Sequence, residues 1–300
     1  MDYSLRVLAA DNDGTKIEAF EWSPPPGAQD QGIPLVFIPG GTGHARTQPI
    51  HGHAGAMGKL GERKRRVLAV SRRGTGQSSA PPAGYSPADF AGDVRAAINA
   101  AGYERFALFG HSMGVPIGLE LALRDPRGLV GLVLGDAPPQ FIDFKSAGTF
   151  DKILEERFEF ASWDEAFEAM TYRSGDRAAD RARFDAIRDR MFAQEPNGTV
   201  RYLLDRGALQ RTVEESVTAK IDYGPMLNAL EVPVLLLVSS SGWSPLLDEA
   251  VSVYERGIRD LTIQRLQTDH DLGQQANPQP LHSAIGAFLN RLDAVNAPAN

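Results

Sequence analysis

The chain of 300 residues contains no cysteine. This absence excludes disulfide bonds, thiol nucleophiles and metal sites with thiolate ligands, and it is typical of proteins from a reducing compartment. Basic residues are also too few to outweigh acidic ones, at 31 against 38, which gives a formal net charge of −7. Since nucleic-acid binding depends on a basic surface, this balance argues against a nucleic-acid partner.

Long hydrophobic runs are missing as well. No segment approaches the roughly 20 consecutive apolar residues of a membrane-spanning helix. Residues 1–10 mix acidic and basic side chains and lack the apolar stretch of a signal peptide. We therefore expect a cytoplasmic protein that acts on a small-molecule substrate, binds neither nucleic acid nor membrane, and needs no cofactor. The sequence leaves open whether the chain forms a homo-oligomer.

Apolar, strand-like runs alternate with helix-like segments along most of the chain. This alternation predicts an α/β fold with a mostly parallel sheet covered by helices on both faces. Eight strands are predicted, at residues 5–9, 17–22, 34–38, 67–70, 106–109, 129–134, 232–238 and 261–266. The first two strands flank the turn-rich Asp11-Asn12-Asp13-Gly14 and are expected to form a hairpin.

The residues that favour a helix start and a helix end are clearest for one predicted helix. Ser86 can cap a helix, Pro87 suits its first turn and Asp89 favours its positive end, so we predict a helix over 87–101 that stops at Gly102. Further helices are predicted from about residue 245 and over about 280–292.

The pattern changes between residues 140 and 224. Charged, helix-favouring segments such as 151–160 and 181–192 replace the buried strands there. We therefore predict a catalytic core in two parts, 1–139 and 225–300, with a helical cap inserted at 140–224.

The pentapeptide Gly110-His111-Ser112-Met113-Gly114 joins an apolar, strand-like run to a helix of small residues. A tight turn from strand to helix exposes the serine hydroxyl, and side chains two residues before and after it would collide with the crossing chain. Glycine is therefore needed at both positions. The free N–H groups of the new helix then point toward the serine, where they can hold an oxyanion. Ser112 is the predicted nucleophile.

A serine hydroxyl is a poor nucleophile until a base takes its proton. Of the six histidines, His270 follows the last predicted strand, at the carboxyl edge of the sheet where ligands bind in open α/β folds. His111 adjoins Ser112, so its side chain must point away from that hydroxyl. His51 and His53 lack a third ligand, and no metal site is predicted. His270 is the expected base.

Four segments, taken in order, resemble the α/β-hydrolase fold family, and in particular its esterases and lactonases with a helical cap. The segments are Pro39-Gly40-Gly41, Arg73-Gly74-Thr75-Gly76-Gln77-Ser78, the turn at Ser112 and Asp269-His270-Asp271. The resemblance covers nearly the whole chain. It implies that Ser112 is the nucleophile, that His270 is the general base, and that the backbone N–H groups of Gly41 and Met113 form the oxyanion hole.

The third catalytic member departs from the family pattern. The family usually carries a carboxylate that orients the histidine after the strand predicted at 232–238, but residues 239–245 contain none. Asp136 is the first candidate for this carboxylate, since some members of the family resemble this chain in carrying their acid after the strand predicted here at 129–134. Asp248 and Asp269 are alternative candidates for the acid. A further alternative is a catalytic dyad of Ser112 and His270, in which a serine hydroxyl or water takes the place of the acid.

Ser71 is a smaller departure, because the family often has aspartate before its R-G-x-G segment. The two arginines that follow, Arg72 and Arg73, are interpreted as members of structural salt bridges, with anion binding as the alternative.

The resemblance implies hydrolysis of a small to medium, mostly apolar ester, lactone or thioester through an acyl-enzyme on Ser112. Most aromatic residues of the insertion are expected to form its core, while a few face the pocket. These aromatic residues are Phe141, Phe144, Phe150, Phe158, Phe160, Trp163, Phe167 and Tyr172. His44, beyond Gly41, is expected to contact a substrate oxygen.

Two other classes of function remain open from the sequence. The same fold also serves carbon–carbon bond cleavage, acyl transfer and other steps of natural-product biosynthesis. The other class is a ligand-binding protein that retains the pocket with little turnover.

Overall fold

A computed structural model of the protein describes residues 3–25, 27–28, 31–41, 43, 45–46, 60, 62–140, 157–169, 176–241, 244, 246–272 and 278–296. The predicted substrate contact His44 lies outside these ranges, as do His51, His53 and the aromatic residues Phe141, Phe144, Phe150 and Tyr172.

An eight-stranded sheet forms the centre of the molecule. Its strands are β1 Ser4–Asn12, β2 Thr15–Ser23, β3 Leu35–Ile38, β4 Val67–Val70, β5 Phe106–His111, β6 Leu129–Gly135, β10 Val234–Ser239 and β11 Leu261–Leu266. They lie in the order β1-β2-β4-β3-β5-β6-β10-β11. Only β2 pairs in antiparallel fashion, with β1 and with β4, so the predicted opening hairpin and mostly parallel sheet are both confirmed.

Helices cover both faces of this sheet. The helices of the core are α1 Pro87–Ala101, α2 Gly114–Arg124, a 3-10 turn at Gly224–Ala229, α6 Asp248–Gly257 and α7 Gln279–Val295. Alternating strand residues separate the two layers: Val36 and Ile38 of β3 pack with α1, α2 and α6, whereas Leu35 and Phe37 pack with α7. This is the arrangement that period-two side-chain alternation imposes on a doubly covered sheet.

Helix α1 shows how local sequence sets these bounds. The Ser86 hydroxyl accepts a hydrogen bond from the Asp89 N–H, and the Asp89 carboxylate accepts one from the Ser86 N–H. Gly102 ends the helix in the left-handed region, with φ of +69°. The predicted start and end of this helix are both confirmed.

The segment between β6 and β10 holds both helices and a small sheet. Its helices are α3 Trp163–Ala169, α4 Arg177–Met191 and α5 Arg206–Ala219, and the strands β7 Glu159–Phe160, β8 Phe192–Gln194 and β9 Val200–Tyr202 form an antiparallel sheet of their own. The sequence predicted a helix at 151–160 and no strand in this segment. Strands of two or three residues are too short to carry an alternating pattern, which is why the sequence does not reveal them.

No helix in the described part of the chain is both long enough and apolar enough to span a bilayer.

Candidate active site

The serine turn between β5 and α2 has the strained geometry that its sequence indicates. Ser112 has φ of +53°, a left-handed conformation that a non-glycine residue adopts at a cost of about 1–3 kcal/mol. A Cβ at Gly110 would overlap the carbonyl oxygen of Gly114, and one at Gly114 would overlap that of Ile38. Both glycines are therefore needed for the chain to cross itself and lift Ser112 out of the sheet edge.

Three residues from three loops form a hydrogen-bonded chain at this edge. Asp136 Oδ2 lies 2.8 Å from His270 Nδ1, and His270 Nε2 lies 2.9 Å from Ser112 Oγ. Because a carboxylate only accepts, Nδ1 carries the proton and donates to Asp136, which leaves Nε2 as an acceptor for the serine hydroxyl. This arrangement can take the proton of Ser112 when its oxygen attacks an electrophilic carbon.

Asp136 is held by the loop that lacks a carboxylate of its own. It is fully buried and accepts hydrogen bonds from the Ser239 N–H at 2.8 Å and from the Ser239 and Ser244 hydroxyls at 2.9 Å each. Burial alone would raise the pKa of Asp136, but the donors from His270, Ser239 and Ser244 outweigh it and the pKa is lowered. Asp136 therefore stays ionised beside His270.

Asp248 and Asp269 occupy different surroundings. The Asp248 side chain is 86% exposed and pairs with Arg265 at 3.1 Å. Asp269 accepts a hydrogen bond from the Asp271 N–H on the surface. Of these three aspartates, Asp136 is the one that the structure brings to the imidazole of His270.

His111 contacts the loop that carries His270. Its Nε2–H donates to the carbonyl oxygen of His270 at 2.8 Å, and the two rings lie with centroids 5.2 Å apart at an angle of 34°. Burial, together with the nearby His270, lowers the pKa of His111 to about 4. His111 is therefore neutral at pH 7 and ties the loop that carries His270 to the serine turn.

The predicted oxyanion-hole residues lie on both sides of Ser112. Gly40 lies so close that a Cβ there would come within 2.6 Å of Ser112 Cβ, and Gly41 follows with φ of +38°. Met113 is the N-terminal cap residue of α2. Within the part of the chain that the structure describes, neither the Gly41 N–H nor the Met113 N–H donates to another residue, so both remain free for a ligand oxygen.

Arg73 forms the predicted salt bridge, with Asp93 at 2.6 Å, and this prediction is confirmed. The same prediction for Arg72 is wrong. Arg72 donates to the Gly41 carbonyl oxygen and contacts the Met113 sulfur at 3.9 Å, and no carboxylate among the described residues pairs with it. Two adjacent arginines thus have different partners, at the start of a turn in which the Thr75 N–H donates to the Arg72 carbonyl oxygen at 2.9 Å.

An apolar cluster from the inserted segment reaches the residue after the nucleophile. Met113 packs with Phe158, Leu204 and Leu209. A second cluster of the segment contains Phe160, Phe167, Phe184 and Phe192, and Tyr202 packs against both clusters. Among the described residues no group of three or more His, Asp or Glu side chains is arranged to hold a metal ion.

Comparison with known sequences places this site in a family. The sequence profile of the family described as alpha/beta hydrolase fold matches residues 33–244. A protein of Klebsiella pneumoniae named "Putative carbamate hydrolase RutD" is 38% identical over 104 residues, which cover 34% of this chain and 37% of that protein. A protein of the same name from Variovorax paradoxus is 44% identical over 82 residues. The alignments with these two curated relatives thus span only 37% and 31% of their lengths.

Solved structures with the same fold match over almost the full length. E-2-(Acetamidomethylene)succinate hydrolase has a TM-score of 0.71 at 20% identity, covering 96% of this chain and 100% of that one. An alpha/beta hydrolase from Novosphingobium aromaticivorans has a TM-score of 0.70 at 23% identity, covering 97% and 99%. At these identities the similarity establishes the fold alone.

Proposed function

This chain belongs to the α/β-hydrolase fold family, and we propose that it is a hydrolase that cleaves a small to medium, mostly apolar ester, lactone or thioester through an acyl-enzyme on Ser112. The observation that carries this proposal is the chain of hydrogen bonds from Ser112 Oγ through His270 to Asp136, at 2.9 and 2.8 Å.

The first half of the reaction follows from this geometry. Ser112 Oγ attacks the carbonyl carbon while its proton passes to His270 Nε2. Negative charge then develops on the carbonyl oxygen, where the N–H groups of Gly41 and Met113 stabilise it. The tetrahedral intermediate collapses, the bond to the leaving group breaks, and His270 returns the proton to the leaving oxygen or sulfur.

Water completes the cycle. His270 takes a proton from a water molecule, whose oxygen attacks the acyl carbon and forms a second tetrahedral intermediate. Its collapse breaks the bond to Ser112, releases the carboxylic acid and returns the proton to the serine. The buried Asp136 carboxylate stabilises the imidazolium that forms in each half-reaction.

Two observations bear on the substrate. The cluster of Phe158, Leu204 and Leu209 against Met113 supports an apolar acyl group next to the nucleophile. The name of the aligned relatives supports a carbamate as a second candidate, since a carbamate presents the same electrophilic carbonyl carbon to a serine. Both substrate classes use the same acyl-transfer chemistry.

Covalent labelling is the test. We expect a fluorophosphonate to label the wild-type protein at one equivalent and to leave Ser112→Ala unlabelled. A series of p-nitrophenyl esters from acetate to octanoate, together with p-nitrophenyl N-methylcarbamate, then ranks the substrates. Thr212→Ala is a suitable control, because the Thr212 hydroxyl only donates to a carbonyl within helix α5. A folded wild-type protein that is not labelled would contradict the proposal.

A further inference from the structure

A buried arginine without a carboxylate partner lies against the oxyanion hole. Arg72 is 2% exposed, and among the described residues no carboxylate lies within ion-pair distance of it. Burial lowers the pKa of Arg72 to about 10, so the guanidinium still carries its charge at neutral pH. A buried charge that is not paired is unfavourable for folding, so its presence requires another explanation.

The contacts of this guanidinium converge on the two oxyanion-hole residues. One terminal nitrogen donates to the carbonyl oxygen of Gly41, and the other lies 3.9 Å from the sulfur of Met113. The guanidinium carbon lies 5.8 Å from the centre of the Phe90 ring, and the Nε atom has no hydrogen-bond partner. The Arg72 side chain therefore contacts both residues.

Gly41 depends on such a contact. It adopts φ of +38°, and no atom of the described residues beyond its chain neighbours lies within 4 Å of the position where a Cβ would be. No described contact at the Cβ position restrains this residue, and a glycine has access to several backbone conformations. The hydrogen bond from Arg72 to its carbonyl oxygen holds this residue in one orientation beside Ser112.

From these contacts we infer that Arg72 is a positioning residue of the oxyanion hole, which fixes Gly41 and adds a buried positive charge beside the forming oxyanion. The inference rests on the proposed function. In a site that excludes water, a fixed cation stabilises negative charge that develops in the transition state, and it does little for a neutral substrate. Arg72 therefore acts on kcat rather than on KM.

The test replaces the charge and follows catalysis and stability together. For Arg72→Met we expect kcat on the best ester to fall about 10²- to 10³-fold, the loss typical of an oxyanion-hole donor, with KM within about threefold. The affinity for an alkyl boronic acid, which forms an anionic tetrahedral adduct on Ser112, should fall by a similar factor. The Tm should stay equal or rise, because the unpaired charge is gone.

Two further variants complete the design. Arg72→Lys keeps the charge but loses the two terminal guanidinium nitrogens that contact Gly41 and Met113. We therefore expect a kcat between those of wild type and Arg72→Met. Arg73→Met is the matched control, because Arg73 is a buried arginine paired with Asp93. It should lower the Tm and leave kcat within about threefold.

The outcomes separate this inference from the proposed function. A wild-type protein that no fluorophosphonate labels would overturn both. Labelled wild type together with an unchanged kcat in Arg72→Met, or a fall in kcat matched by a fall in Tm, would overturn the role of Arg72 alone. If Arg72→Met does not fold, an unchanged boronic-acid affinity in Arg72→Lys would overturn it equally.

Discussion

Asp136 is the residue whose surroundings say most about its role. It is a buried aspartate with φ of +52°, a conformation that non-glycine residues rarely adopt and that tends to persist at functional sites. Every described donor around it approaches the carboxylate: the His270 imidazole, the Ser239 backbone and two serine hydroxyls. The serine-rich loop thus holds an acid that belongs to the neighbouring strand.

Replacement of this carboxylate tests the assignment. In Asp136→Asn we expect kcat to fall by about 10³- to 10⁴-fold, because the neutral amide neither fixes the His270 tautomer nor stabilises its protonated form. Ser244→Ala removes one of several donors and should cost about tenfold or less. The measurement is kcat on the best p-nitrophenyl ester, with circular dichroism to verify the fold. Asp248→Asn is the control, and near-normal turnover in Asp136→Asn would contradict the role.

His111 makes the stability of the protein depend on pH. Its pKa is about 4 in the folded state against 6.5 for an ordinary histidine, so the unfolded state binds the proton more readily. The stability is therefore greatest above pH 6.5 and falls as the pH drops toward 4. Between pH 8 and pH 5 we expect His111 to account for a loss of about 2 kcal/mol.

Urea unfolding of wild type and His111→Asn at these two pH values measures this contribution. The variant should lose about 2 kcal/mol less than wild type over the same interval, since asparagine does not titrate. Asp136 does not interfere, because its pKa is lowered and its contribution to stability is lost only as the pH falls through the ordinary range of aspartate titration and below it, under the interval measured. Equal losses in the two proteins would show that His111 is not held neutral.

At the scale of elements, the inserted segment has two apolar clusters with different neighbours. Phe160, Phe167, Phe184 and Phe192 pack with one another within the segment. Phe158 instead packs against Met113, the residue after the nucleophile. The first cluster holds the segment together, whereas the second joins it to the site.

This division predicts different effects for two aromatic substitutions. Phe158→Ala opens space next to Met113, so we expect the preferred p-nitrophenyl ester to shift toward longer acyl chains. Phe184→Ala leaves a cavity in the segment's own core and should destabilise it by about 3–5 kcal/mol without changing the ranking of chain lengths. An unchanged ranking in Phe158→Ala, or an equal shift in both variants, would contradict a role of Phe158 in specificity.

The success of sequence-based prediction also differs between elements. Strands β4 and β11 and helix α1 match the predicted bounds, because a short apolar run between turns, or a capping box with a terminal glycine, is complete within a few neighbouring residues. The signal for the turn at Ser112 is equally local, because it lies within five consecutive residues. The choice among Asp136, Asp248 and Asp269 is not, because Asp136 and His270 are 134 residues apart and only the order of strands brings them together.

At the scale of the whole molecule, one buried ion pair joins the last helix to the start of the parallel sheet. Arg65, before β4, is fully buried and donates to Asp293 of α7 at 2.9 Å and to the Ile33 carbonyl oxygen at 2.8 Å. Asp293 also accepts from the Ile33 N–H at 2.9 Å. Arg65 and Asp293, which are 228 positions apart in the sequence, are thus held together by a cluster of hydrogen bonds.

Because Arg65 is paired, breaking its ion pair should destabilise the protein, whereas removal of the unpaired Arg72 should not. Asp293→Asn leaves the Arg65 charge buried and uncompensated, so we expect the free energy of unfolding in urea to fall by about 3–5 kcal/mol. The double variant Arg65→Met/Asp293→Leu buries no charge and should recover most of that loss. A single substitution that costs less than about 1 kcal/mol, or a double variant no more stable than the single one, would show that the pair does not hold α7 to the sheet.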